Sequence, residues 1–359
     1  MSLRHLELAD FRLFSATKLN FPLAGTTVIV GANGTGKTSV LEAICYLGTR
    51  RSFRGAPAEA LVRTGAERAV IRAEFLDGDT PNAVDAEVLV AGRSRVRVNR
   101  KFVSARRDLA AACPTTVFSP EDLALVRGSP GGRRDLLDDT LALLDPEGAR
   151  AADDTERVLR QRAALLRQSG GRPSPEVSTT LDVWDQRLAD AGTVLADARD
   201  RLTEDLRPLV GAAYRELAGG GEIDQVGQHY QRSWSEDLLS ALGASRQDDL
   251  RRGVNTVGPH RDELVLSIDG REARTHASQG EQRCLALALR LGIHHLVTGR
   301  TRRSPILLLD DVFSELDPDR SRALIAVLPP GQSVLTTASP LPDGIAAAQV
   351  VAVADLRNR

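Results

Sequence analysis

Residues Gly31-Ala32-Asn33-Gly34-Thr35-Gly36-Lys37-Thr38 spell G-x-x-x-x-G-K-T. The preceding run, Thr26-Thr27-Val28-Ile29-Val30, is β-branched and reads as a buried strand. In the run that follows, Val40, Ile44 and Leu47 recur at helical spacing. A strand, a glycine loop and a helix in this order are the context of a phosphate-binding loop. The glycines let the backbone close around phosphates, and N–H groups at the helix start point at them. Lys37 places a compact charge at the β- and γ-phosphates, and Thr38 offers a hydroxyl to Mg²⁺. The expected ligands are ATP and Mg²⁺, held by Gly31, Ala32, Asn33, Gly34, Thr35, Gly36, Lys37, Thr38 and the adjoining Ser39. Only three of the 47 basic residues are lysines, Lys18, Lys37 and Lys101. A chain that otherwise takes arginine keeps lysine where a flat guanidinium would be too large.

Composition narrows the function classes. Net charge is −1, so a nucleic-acid contact must come from a local patch rather than a global basic field. Aromatic residues are 4% of the chain, which argues against a base-stacking platform. Cys45, Cys113 and Cys284 are isolated and form no C-x-x-C pair, as expected in a reducing cytoplasm. No apolar run approaches the ~18 residues of a membrane span. The start, Met1-Ser2-Leu3-Arg4-His5, has no apolar signal core, so the expected location is cytoplasmic.

The first part of the chain reads as strands. Leu6 and Leu8 alternate with polar residues, as do Ile71, Ala73 and Phe75. Val84, Ala86, Val88 and Val90 alternate up to a turn at Gly92, and Val96 and Val98 alternate after it, giving a hairpin. Its second strand carries Arg93, Arg95 and Arg97 and continues into Arg100 and Lys101. This is either a solvated sheet face or a strip facing nucleic acid, with Arg93, Arg95, Arg97 and Lys101 as the candidate DNA contacts. After Pro120 the character changes. Residues 153–168 are helical, with Val158, Leu159, Leu165 and Leu166 on one side, and a loop follows from Ser169 to Pro175. Val177, Leu181, Trp184, Leu188, Ala191, Leu195, Ala198 and Leu202 then recur in a heptad that should stop near Pro208. The two helices predict an antiparallel arm, or a plain helical subdomain on the core. Beyond Gly253 come a hairpin with an Asp269-Gly270 turn, an apolar helix from Leu285 to Leu296, and a buried strand from Ile306 to Leu309. The expected architecture is an α/β P-loop ATPase head of ABC type, split by a helical, short coiled-coil insertion lobe. The head would comprise residues 1–120 and 251–359, and the lobe 121–250.

The strand Ile306–Leu309 ends in Asp310-Asp311. Asp310 fits a Walker B acid holding Mg²⁺ opposite the phosphate loop, and Asp311 would orient or deprotonate the attacking water. With Lys37, these are the expected catalytic residues. Ser278-Gln279-Gly280-Glu281-Gln282 contains an S-x-x-E capping box, which alone would explain it as a helix start. The same run is similar to the signature motif of ABC-type ATPases. A capped helix N-terminus with a serine hydroxyl and a close-approach glycine also suits a γ-phosphate, so the two readings are compatible.

The order of phosphate loop, helical insertion, signature, acidic strand and Ser314-Glu315-Leu316-Asp317 resembles the heads of SMC-type proteins. Three further runs resemble the RecF family of bacterial recombination mediators over essentially the whole chain: Asp10-Phe11-Arg12, Phe118-Ser119-Pro120-Glu121-Asp122-Leu123 and Gly258-Pro259-His260-Arg261-Asp262-Glu263. This resemblance implies a weak, DNA-stimulated ATPase of repair and replication-gap rescue. It implies head-to-head dimerisation on ATP, binding to gapped or junction DNA, and partnership with RecR and RecO in loading RecA. It also adds Arg12, Ser278, Gly280 and Gln282 to the nucleotide site. Asp311 stands where ABC transporters usually carry Glu, and its shorter reach suggests slow hydrolysis. The switch strand, Val334-Leu335-Thr336-Thr337-Ala338, has no histidine, which leaves Thr337 as the expected γ-phosphate sensor. No glutamine is assigned to a Q-loop. A transporter ATPase subunit and an SMC-like chromosome organiser are the rival readings. The long insertion opposes the first, and the short arm without a hinge opposes the second.

Overall fold

The computed structural model describes residues 1–172, 174–219, 225–235 and 237–357. Pro173, in the expected inter-helix loop, lies outside the described residues. Among the described residues, fourteen strands follow in chain order: β1 Ser2–Phe11, β2 Phe14–Asn20, β3 Gly25–Val30, β4 Arg68–Asp77, β5 Thr80–Leu89, β6 Arg95–Val98, β7 Lys101–Val103, β8 Thr115–Phe118, β9 Val226–Gln231, β10 Glu263–Ile268, β11 Arg271–Glu272, β12 Ile306–Asp310, β13 Gln332–Thr337 and β14 Ala347–Ala352. They form a parallel sheet of order β14-β3-β13-β12-β8, a six-stranded sheet β2-β1-β4-β5-β6-β7 with antiparallel pairing, and a small sheet β11-β10-β9.

The parallel sheet is covered on both faces, so its strands read as continuous apolar runs rather than alternating ones. Ile29, Ile306, Leu308 and Val334 point into one core, with the helix Lys37–Thr49 and the inner face of the antiparallel sheet. Val28, Leu307, Leu309 and Leu335 point into the other, with the signature helix Gln279–Thr301 and the long helix Pro175–Leu217. Adjacent residues on one strand therefore serve opposite cores. Each fully buried Leu, Ile or Val contributes about 1.5–3 kcal/mol.

The arm consists of the helices Pro146–Gln168 and Pro175–Leu217. Leu181, Leu188, Leu195, Ala198 and Leu202 are buried as the heptad predicts. Pro208 does not stop the second helix, which runs through it to Leu217. An internal proline costs about 3 kcal/mol. Burial of Leu206, Val210, Tyr214 and Leu217 against the signature helix more than offsets that. The two helices meet so closely that a Cβ on Gly292 would lie 2.8 Å from Val210. Near the arm tip, buried Arg162 joins Asp185, Asp249 and Asn255 at 2.6, 2.5 and 2.8 Å, tying the arm to the helix Leu238–Arg252.

The arginine-bearing segment does not continue as one strand. Arg93 lies in the turn before β6, and the chain reverses at Asn99-Arg100, so Lys101 begins β7. Strand β9 was not legible in the sequence. The Asp269-Gly270 turn is present, with both residues at positive φ.

Candidate nucleotide site

The loop Gly31–Gly36 joins β3 to the helix that begins at Lys37. Gly34 and Gly36 hold φ of 77° and 105°, in the left-handed region that glycine enters without a Cβ penalty. No side chain caps this helix and no acidic residue lies in its first turn, so its free N–H groups face the loop interior. The Lys37 ammonium folds over the loop, donating to Gly31 O at 2.8 Å and Ala32 O at 3.0 Å. These carbonyls hold the lysine where a phosphate oxygen can replace them.

Parallel pairing of β3, β13 and β12 brings their C-terminal ends together. Asp310 thereby meets the phosphate loop. One of its carboxylate oxygens accepts the Thr38 hydroxyl at 2.9 Å and the Thr336 hydroxyl at 2.7 Å. Burial raises the Asp310 pKa above the ordinary carboxylate range, against the lowering effect of the two hydroxyls. A buried carboxylate and a hydroxyl, with no basic ion-pair partner on Asp310 among the described residues, suit a hard divalent cation. Among the described residues no three His, Cys, Asp or Glu side chains converge. A cation here would therefore complete its shell from phosphate and water, as Mg²⁺ does.

Asp311 sits at φ 48°, with its N–H held by the Thr336 carbonyl and hydroxyl. That turn places it on the cleft wall with Lys37, Thr38 and Ser39. Thr336, rather than Thr337, faces the acids. The Thr337 hydroxyl donates to Ser339 O at 2.9 Å. The Thr336 hydroxyl, one residue before the expected Thr337, is thus the one turned to Asp310, because successive strand residues point to opposite faces.

The cleft mouth is built by the Arg12-Leu13 turn between β1 and β2. Arg12 lines the cleft, but its guanidinium forks onto fully buried Glu42, with both N–H···O distances at 2.7 Å, and reaches Ala60 O. Leu13, Ala60 and Val62 give the cleft an uncharged side, and Arg54 adds a third cation to Lys37 and Arg12. Arg54 pairs at 3.3 Å with Glu121, which follows β8 beside the acidic strand. Leu13 and Arg54 stand in no motif, and neither the Phe118–Leu123 run nor the switch strand marks Glu121 or Thr336 as a cleft residue. Sheet order and a turn place them, and no local sequence signal reports either.

Ser278 caps the signature helix with both arms of its capping box formed, and it is exposed. Neither Ser278 nor Gly280 lines the phosphate-loop cleft of the same chain. A Cβ on Gly280 would come within 2.6 Å of the Arg320 guanidinium, the far end of a flexible side chain that can move aside. Gln282 departs from the expectation. It is buried, and its amide donates to the Ala273 and Arg274 carbonyls and accepts from Arg127, so it braces the segment before the helix instead of facing a ligand.

Two of the three runs that carry the family resemblance, Phe118–Leu123 and Gly258–Glu263, are joints. Asp122 caps its own turn and binds Arg290 of the signature helix at 2.6 Å. Asp262 accepts from the Tyr230 hydroxyl and the Ser233 N–H, while Glu263 forks with Arg133. Both runs tie the segments between residues 121 and 250 to the rest of the chain.

Fold and phosphate loop together define a P-loop ATPase head. The sequence profile of the RecF/RecN/SMC N-terminal domain matches residues 2–334. The DNA replication and repair protein RecF of Frankia alni is 42% identical over 357 residues, covering 94% of this chain and 93% of that one. The RecF of Streptomyces avermitilis is 43% identical over 354 residues, covering 94% of each. A solved structure of the recombination mediator protein RecF-ATP in the RecFOR pathway superposes with a TM-score of 0.85 at 28% identity, covering 94% of this chain and 92% of that one. An SMC head bound to a domain of ScpA shares the fold, with a TM-score of 0.52 at 17% identity, 94% of this chain and 90% of that one being covered. The chain belongs to the RecF family. That membership sets aside the transporter and chromosome-organiser readings.

Proposed function

We propose that this chain is an ATP-dependent DNA-binding protein of recombinational repair, whose heads dimerise around ATP and release DNA on slow hydrolysis. The observation that carries the reading is the meeting of Lys37, Thr38, Asp310 and Asp311 at one end of the parallel sheet. Relatives with this fold are described with ATP in the RecFOR pathway. Thr38 and Asp310 would hold Mg²⁺, which when bound neutralises phosphate charge. Lys37 exchanges its loop carbonyls for β- and γ-phosphate oxygens. Asp311, with no hydrogen-bond or ion-pair partner for its carboxylate among the described residues, accepts the proton of the attacking water. Ser278 and the helix start at Gly280 serve the nucleotide of a second copy. Residues 1–120 and 251–359 form the head and 121–250 the lobe. RecO and RecR are the expected partners in RecA loading at gapped DNA in the cytoplasm. Among the described residues no helix is long and apolar enough to cross a membrane.

Arg93, Arg95, Arg97 and Lys101 are the proposed DNA contacts, since none has a carboxylate in ion-pair reach among the described residues. DNA titrations with and without ATP, over several salt concentrations, test this. The wild type should bind more tightly with ATP and show a steep salt slope. Arg95→Ala and Arg97→Ala should weaken binding to every sequence and flatten the slope by about one unit for each phosphate left without its cation. Unchanged affinity and slope would place the DNA strip elsewhere.

A further inference from the structure

The β6–β7 hairpin carries a cluster that nucleotide binding does not use. Arg95 and Arg97 stand directly across the sheet from Glu87 and Asp85. Neither pairs with its opposite carboxylate. Arg68 holds Glu87 at 2.7 Å, and Arg72 lies 4.0 Å from Asp85. Both free guanidiniums turn instead over the Phe102 ring, 5.7 and 4.6 Å from its centroid. Phe102 lies on the edge strand β7, opposite Arg97, and is 60% exposed. At the hairpin tip, Asn99 and Arg100 hold φ of 48° and 68°. A two-residue turn of this kind ordinarily takes glycine at its second position. Here a long cation occupies it, in a conformation that disfavours any Cβ. Asn99 fixes the turn by accepting the Ala83 N–H and donating to Asn82, both at 3.0 Å.

An exposed ring surrounded by unneutralised cations calls for a ligand that is both flat and anionic. One ring is too small to form the core of a protein interface. A duplex offers phosphates but hides its base faces in the stack, whereas an unpaired nucleotide offers both. We infer that Phe102, flanked by Arg95 and Arg97, is a stacking platform for an unpaired DNA base. The hairpin then engages the single strand beside a duplex. This inference rests on the proposed DNA-binding function. The low aromatic content of the chain predicts no such platform, but a single base needs only one ring.

The test compares a gapped duplex with the matching continuous duplex, using the full-length protein with ATP and fluorescence anisotropy. Phe102→Ala should lower affinity for gapped DNA about tenfold and leave the continuous duplex unchanged. Phe102→Trp should restore binding, with indole fluorescence quenched by gapped DNA and not by the continuous duplex. Phe102→Ala binding gapped DNA like the wild type, or losing both DNAs equally, would overturn the platform while leaving the DNA-binding reading intact. A wild type that binds neither DNA would overturn that reading and the platform with it.

Discussion

Lys37 is held by the carbonyls of its own loop, and a bound phosphate must replace those hydrogen bonds with stronger, charge-assisted ones. Replacing Lys37 with Met removes the charge and should weaken ATP binding by at least about tenfold. Lys37→Arg keeps the charge but cannot fit a planar fork under Gly31 and Ala32, so binding should survive better than turnover. Calorimetric titration with ATP, beside a phosphate-release assay, separates the two effects. Full turnover in Lys37→Met would contradict the site. Most of this chemistry was legible in the sequence, because the phosphate loop is local: consecutive residues from Gly31 to Thr38 carry both its glycine geometry and its charge. Thr336 and Arg54 were not. Their roles depend on which strand lies beside β12 and where the chain runs after the first helix, and only the tertiary structure decides either.

Among the elements, the signature helix does most to join the molecule. Its start carries Ser278 and Gly280, its middle binds Asp122 through Arg290, and its buried face packs on the long helix at Gly292. His294 of the same helix lies between the Thr116 and Ser304 hydroxyls at 3.1 and 3.2 Å. Burial, with repulsion from His295, pushes its pKa down to about 4. The unfolded chain, titrating near 6.5, therefore binds more protons between pH 6.5 and 4. Stability should fall as pH drops through that window and recover above it, by up to about 1.4 kcal/mol per unit for one such group. Half-buried His260, also pushed down to about 4, acts in the same direction. Urea midpoints at stepped pH should show a shallower acid fall for His294→Gln than for the wild type, and equal slopes would exclude His294 as a source. Helical periodicity in the sequence revealed this helix and the arm. It misjudged Pro208, because a local rule about proline carries no account of the burial that overrides it.

At the scale of the whole molecule, neither Ser278 nor Gly280 of the exposed signature start lines the phosphate-loop cleft of its own chain. The family likeness suggested that two chains complete each other's sites, and the single-chain geometry is consistent with that arrangement. Two of the runs that carry the family resemblance, around Asp122 and Asp262, tie distant segments of the chain together. The sequence could reveal the two half-sites but not their separation, since distance between motifs in space is a property of the assembled sheet and lobe.

Sedimentation velocity of the full chain with ATP and with ADP tests the central claim most directly. Dimers of the wild type are expected with ATP and monomers with ADP. Ser278→Arg should keep ATP on the monomer but form no dimer, because the added bulk and the missing hydroxyl block the donor to the second copy's γ-phosphate. Asp311→Asn should accumulate ATP-bound dimers, since Asp310 still serves the cation while the water loses its base. Equal dimer fractions for wild type and Ser278→Arg in ATP would contradict the shared-nucleotide mechanism.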